Sequence, residues 1–356
     1  MEDKSRHKDP DEELENIQPP KDVVAFNELR SCADLFRMYK EGILDIQPTF
    51  QRDVVWSGRE QSIFIDSLMK QLPIPSMCFS LDFQTQKWTV VDGLQRMTSI
   101  IKFLDTTNEW RLTRTIEINP TISGKSNIQI KEGDEDNQIL FRKIENLTLP
   151  ITVIRCDQSS KAHSEYLFTI FKRLNSGGSK LNHQEIRNCI YSGALNDAIK
   201  KFEKENKEWK FLKNLLPGKG ARFKSIELIV RYLALNAQSD SYSGNMPSFL
   251  NEFMRIHRQD PLKTDLDKLG EVAKIIRRCI DAANIQKVGY TLAESALVGI
   301  SRNLGTASAM NNTMLGRKIK DLSDSYEIAG ASSKIDTTSA RQVKERIERS
   351  QKIFAN

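Results

Sequence analysis

The chain has 356 residues, 39% apolar and 28% charged, which is long enough for a full core and for two domains or subdomains. No stretch reaches the roughly 20 apolar residues of a membrane-spanning helix, and the charged start Met1-Glu2-Asp3-Lys4 is no signal peptide. Five scattered cysteines without a CxxC pair read as free thiols of a reducing cytoplasm, and four scattered histidines without an HxxxH pair argue against zinc chemistry.

The net charge of +6 is unevenly spread. Residues 1–22 hold four basic and eight acidic residues, so the remainder carries +10. Residues 172–231 hold fourteen Lys/Arg against six Asp/Glu. A surplus of that size suits a nucleic-acid or polyphosphate partner. A solvated helical face explains part of it, since Lys200, Lys204 and Lys207 alternate with Glu203, Glu205 and Glu208.

In chain order, residues 1–22 are charged, contain three prolines and lack apolar periodicity, which predicts a disordered arm. Short strands are expected at Val23–Phe26 and Ile43–Ile46 around a helix near Leu29–Tyr39. Ser57-Gly-Arg-Glu60 is a capping box, opening a helix whose stripe is Ile65, Leu68, Met69 and Leu72 and which Pro73 ends. Strands Ser76–Leu81 and Lys87–Val91 form a hairpin across Asp82–Gln86. A helix follows Asp92, with Leu94, Met97, Ile101 and Leu104 on one face. Next comes a polar insertion with an acidic run at Glu132–Asp136. Its Gly124-Lys125-Ser126 is not a Walker A loop, because Asn119 stands where the upstream glycine is needed.

Leu147–Cys156 reads as a strand, and Tyr166, Leu167, Ile170, Phe171 and Leu174 as the stripe of a helix ending in the turn Asn175-Ser-Gly-Gly178. Asn182-His-Gln-Glu185 is a second capping box. Beyond it the pattern is helical, with stripes at 186–202, 223–235, 249–256, 266–280, 291–304 and 338–353. The expected class is α+β: a domain at 23–180 with a small mixed sheet, then an all-helical domain at 181–356.

Three segments offer the parts of a polyphosphate site: Gln51-Arg52, Asp92–Arg96, and Phe171–Gly178. Such a site needs fixed cations, backbone N–H groups at a helix start, and glycines that admit close approach. Arg52 and Arg96 supply charge, Gly93, Gly177 and Gly178 supply access, and Asn175 supplies an amide. Each has a local alternative. Asp92-x-x-Gln95 fits an N-cap pair, Asn175–Gly178 a helix C-cap, and Arg52 a salt bridge. Arg96 gains nothing from capping, and it opposes the helix dipole in the first turn.

The motifs Ile46-Gln-Pro-Thr-Phe-Gln-Arg52, Val55-Trp56, Ile65-Asp66-Ser67-Leu68, Pro73-Ile-Pro75, Val91-Asp-Gly-Leu-Gln-Arg96, Phe171-Lys-Arg-Leu-Asn-Ser-Gly-Gly178 and Glu185-Ile-Arg-Asn188 occur in that order. This closely resembles the N-terminal domain of the GmrSD restriction endonucleases, a ParB/sulfiredoxin-like fold, over roughly residues 23–205. The resemblance implies a nucleotide-binding and hydrolysing module of prokaryotic anti-phage defence that acts on or senses modified DNA. The family's Asp-Gly-Gln-Gln-Arg motif falls on Asp92–Arg96, with leucine in place of glutamine at 94. Its Phe-Gln-Arg motif falls on Phe50, Gln51 and Arg52, and its Asn-Gly-Gly turn on Asn175, Gly177 and Gly178. Family members carry an HNH-type nuclease domain, which the single late histidine, His257, does not supply; cleavage is then expected from a partner nuclease or not at all.

The expected activity is therefore NTP binding and hydrolysis, with Mg²⁺ as companion ion and DNA as partner. Arg52 and Arg96 would bind phosphates, Asp92 would hold Mg²⁺ or orient water, and Gln95 would contact phosphate or the attacking water. Two alternatives stand beside it. One is a metal-dependent DNase using Asp92 with Asp66 or Glu185. The other is a non-enzymatic domain that binds DNA or a partner. Arg341, Lys344, Arg346 and Arg349 on the last helix fit self-association or DNA binding.

Overall fold

A computed structural model describes residues 18–46, 56–174, 182–218, 223–330 and 339–355, with side chains omitted at 326–330. The chain forms two compact units, one of Ile17–Leu181 and one that includes Asn182–Asn356. The architecture is α+β, with the strands in the first unit and helices throughout the second.

The first unit is built on a five-stranded mixed sheet in the order β1-β5-β3-β4-β2. Its strands are β1 (Val24–Ser31), β2 (Leu44–Asp45), β3 (Met77–Asp82), β4 (Lys87–Asp92) and β5 (Thr148–Cys156). β1 and β5 run antiparallel from Val24 opposite Arg155 to Ser31 opposite Thr148. That pairing holds Leu29 and Arg30 extended, so helix α1 (Cys32–Lys40) starts later than the sequence pattern indicates. Ser31 ends the strand and caps the helix, its side chain accepting from the Asp34 N–H at 3.1 Å.

Helix α2 (Gly58–Met69) starts at the expected capping box, with both reciprocal bonds between Ser57 and Glu60 present. It packs on helix α3 (Leu94–Leu104). The core of this unit brings Leu35, Ile65, Leu68, Phe79, Met97, Ile100, Phe103 and Val153 together.

The polar insertion after α3 is structural. Ser126 and Gln129 form a further capping box that opens helix α4 (Asn127–Lys131). Asp134 caps helix α5 (Glu135–Asn146), so Glu135 and Asp136 lie in its first turn, where the helix dipole favours negative charge. The acidic run is thus a helix start. Ile118, Ile122, Ile130, Phe141 and Ile144 from this segment join the core. Asn127, fully buried, donates to the carbonyls of Lys102, Asp105 and Asn108 and ties the insertion to the end of α3. Helix α6 (Lys161–Leu174) packs on β4.

The predicted arm is described only at its end. Val23 N–H donates to the Pro20 carbonyl, and Asp22 bonds Nε2 of the buried His163 at 2.9 Å. Nδ1 of His163 accepts from the Asp157 N–H, so Nε2 carries the ring proton.

In the second unit, the single stripe expected at 186–202 is two helices, α7 (His183–Ile190) and α8 (Ala194–Glu205). Between them Gly193 lets the chain pass the Arg258 carbonyl, which a Cβ would meet at 2.6 Å. The remaining helices are α9 (Lys207–Leu215), α10 (Lys224–Gln238), α11 (Met246–Ile256), α12 (Lys263–Ala283), α13 (Tyr290–Arg302), α14 (Leu304–Ala309), α15 (Asn312–Gly330) and α16 (Ala340–Ala355). α12 packs on α15, α10 on α13, and α13 on α16. The last pair meets at Gly299, where Ser350 fills the space a side chain would need and donates to the Ser295 carbonyl at 2.7 Å.

No helix among the described residues is long and apolar enough to cross a membrane. All five cysteines are buried, and none is in a disulfide.

Candidate nucleotide site

The corner at Asp92–Arg96 is made by the sheet. β4 pairs with β3 in register until Val90 lies opposite Phe79, and then Asp92 lies opposite Cys78. Val91 is therefore an extra residue, a bulge that re-aims the strand end just before Asp92. Gly93 follows with φ +97°, a conformation L side chains rarely adopt. A Cβ there would lie 2.6 Å from Met77 Cγ, so only glycine fits between the bulge and the helix.

Gly93 is the N-cap of α3, and no side chain caps that helix. Asp92 is consequently the last strand residue and not the cap that its spacing to Gln95 suggests. The first intrahelical bond runs from Met97 N–H to the Gly93 carbonyl at 2.9 Å. The first turn thus presents backbone N–H groups without a side-chain acceptor, on an 11-residue helix whose dipole is positive at this end.

Arg96 has more local work than capping logic assigns it. Its Nη2 meets Asp92 Oδ2 at 2.9 Å, and its Nη1 donates to the Pro75 carbonyl, with Ser76 O at 3.5 Å. Ser76 continues the tie, since its hydroxyl meets Thr152, which donates to Asn27 on β1. Arg96 therefore latches α3 to the entry of β3. Its side chain is only 14% exposed while that of Asp92 is 38% exposed. Burial draws the Arg96 guanidinium below its ordinary value, against the opposing pull of Asp92.

Gln95 is half-buried, and its Oε1 is buried without a hydrogen-bond partner among the described residues. An amide carbonyl left dry costs free energy until a donor reaches it. Leu94, which replaces the expected glutamine, packs against the core cluster. Burial first, and then the Asp92 charge, push the thiol of neighbouring Cys78 up to about 12, which keeps it protonated near neutral pH.

Gln51, Arg52, Asn175, Gly177 and Gly178 lie outside the described residues. Asp92, Gly93, Gln95 and Arg96 are therefore the expected residues that the structure places together. Sequence reasoning missed the Pro75 and Ser76 carbonyls and Met77. Pro73-Ile-Pro75 was the available signal, because a proline-bounded segment keeps carbonyls free of regular pairing.

Asp92 keeps a partly exposed carboxylate. One of its oxygens meets Arg96, and a single carboxylate of this kind could hold a hard, mostly hydrated cation such as Mg²⁺. No group of three His, Cys, Asp or Glu able to hold a metal occurs among the described residues. The carboxylates considered for a DNase are used locally. Asp66 accepts from the Asn119 N–H and pairs with Lys70, and Glu185 accepts from the Asn182 N–H in its capping box.

No curated protein and no solved structure matches the chain. Residues 32–192 match the family described as GmrSD restriction endonuclease, N-terminal domain. That segment runs from the first residue of α1 past the end of α7 and contains the whole Asp92–Arg96 corner. Residues 32–192 are thus similar to a GmrSD N-terminal domain, a match that takes in somewhat less than half of the chain.

Proposed function

We propose that this protein is a restriction or defence module whose first unit binds a nucleoside triphosphate at the Asp92–Arg96 corner. The family match supports the restriction or defence setting. The observation that carries the nucleotide reading is the uncapped start of α3, set behind a glycine whose φ of +97° and closeness to Met77 strain any replacement, with the buried Gln95 carbonyl beside it lacking a donor among the described residues.

In this reading the first-turn N–H groups of α3 hold a phosphate. Gln95 Oε1 accepts a hydrogen bond from a sugar hydroxyl, a base amine or the attacking water. Arg96 positions Asp92 and adds positive charge near the phosphates, while Asp92 holds water or Mg²⁺ through its exposed edge. Bound Mg²⁺ would neutralise phosphate charge. The resemblance to the family would add Gln51, Arg52, Asn175, Gly177 and Gly178, which lie outside the described residues, as phosphate contacts, with a partner nuclease or DNA as the downstream target. Hydrolysis needs a positioned water, for which Asp92 and Gln95 are the available groups.

The test is phosphate release from ATP, GTP, CTP and UTP with Mg²⁺, with and without DNA, by wild type, Asp92→Asn and Gln95→Ala. Turnover that falls at least tenfold in both variants, with their unfolding midpoints unchanged, supports an NTPase at this corner. Turnover retained in both variants would place the chemistry elsewhere.

A further inference from the structure

The second unit contains a cavity of about 310 Å³ that the nucleotide reading does not use. Its wall includes Lys224, Glu227, Arg231, Tyr290, Glu294 and Arg346, contributed by α10, α13 and α16. Cavities of this volume lie at the small end of those that hold organic ligands.

The wall and the shell behind it form a chain of alternating charges. Arg187 meets Glu227 at 3.5 Å, Glu227 meets Arg231 at 3.0 Å, Arg231 meets Glu294 at 2.9 Å, and Glu294 meets Arg346 at 2.9 Å. The Arg187 side chain is 1% exposed and that of Glu294 4% exposed. Charges so far from water are tolerated when their neighbours compensate them. Here both carboxylates are already shared between arginines. Lys224 stands at the cavity with an exposed side chain, its ammonium 5.3 Å from the centre of the Tyr290 ring. It makes no ion pair among the described residues.

The cavity therefore offers an exposed cation at Lys224, guanidiniums on its wall held by two carboxylates, and an aromatic ring and the Leu228 side chain for a flat apolar group. We infer that this cavity binds a small phosphate-bearing metabolite of mononucleotide size. Lys224 and Arg231 take the phosphate, and Tyr290 and Leu228 take the ring, while Glu227 and Glu294 hold the arginines in place. The site lies wholly within the second unit and is independent of the Asp92–Arg96 corner.

Calorimetric titration of the full chain with AMP, UMP, inorganic phosphate and adenosine tests it. A mononucleotide should bind, and Lys224→Ala should weaken that binding at least tenfold without moving the unfolding midpoint, because Lys224 is exposed. Asp92→Asn should leave it unchanged, which keeps failure here separate from failure at the corner. Absence of mononucleotide binding, or binding that Asp92→Asn abolishes and Lys224→Ala leaves intact, would overturn the inference. Phosphate and adenosine bound as tightly as AMP would overturn it too, since the site would then recognise no combined ligand.

Discussion

Gly93 and Arg96 set the candidate site, and each makes a separate demand. Gly93 holds φ +97° and leaves room for Met77. Gly93→Ala should therefore destabilise the protein by roughly 1–3 kcal/mol, through backbone strain and overpacking. Urea unfolding measures this, and an unchanged midpoint would show that β3 and α3 can separate freely there. Arg96→Ala removes the latch to the Pro75 and Ser76 carbonyls together with the Asp92 pair. It should lower both nucleotide affinity and stability, the latter by about 1–3 kcal/mol. Asp92→Asn, by contrast, retains an oxygen for Arg96 and should affect turnover more than folding. Equal thermal shifts in the two variants would contradict this division of roles.

Among the elements, the partly buried charge chain of the second unit makes the sharpest prediction. Glu227 receives both Arg187 and Arg231. Burial raises its pKa, but the two guanidiniums outweigh burial and hold it below the ordinary glutamate value. A carboxyl with a depressed folded pKa contributes stability that is complete above the unfolded value and is lost as pH falls through the folded one. Glu227→Ala should cost about 3–5 kcal/mol near neutral pH, since Arg187 would keep only Gln184 and Asn251. The gap between wild type and variant should narrow as unfolding is measured from about pH 7 down to about pH 3. A constant gap would mean that Glu227 acts by packing alone.

Element boundaries also show what the sequence could reveal. The capping boxes at Ser57 and Asn182 were legible because both bonds are local, formed between residues three apart. The start of α1 was not, since the extended form of Leu29 and Arg30 comes from pairing with a strand more than a hundred residues away. The bulge at Val91 and the Arg96 latch were hidden for the same reason: both depend on β3. The basic surplus misled in part, because Arg187 is buried against Glu227 and Lys213 pairs with Glu203. Arg346, expected on a nucleic-acid or self-association face, turns inward to Glu294. The Asp92–Arg96 motif itself was readable, but its orphan Gln95 carbonyl required coordinates.

At the scale of the whole molecule, each unit has its own architecture. Among the described residues, the core cluster running from Cys32 to Val153 is made wholly of residues of the first unit. A fragment of Ile17–Leu181 should therefore unfold cooperatively on its own, and a broad, non-cooperative urea transition would show that its core needs the rest of the chain. The two units also carry distinct polar sites, the uncapped corner of the first and the charged cavity of the second.

The most direct measurement of the central claim is calorimetric titration of the full chain with ATP, GTP, CTP and UTP in the presence of Mg²⁺, comparing wild type with Gln95→Ala. At least one triphosphate should bind to wild type, and the variant should bind it at least tenfold more weakly while unfolding at the same midpoint. No binding of any triphosphate to wild type, or equal binding to the variant, would contradict a nucleotide site at Asp92–Arg96.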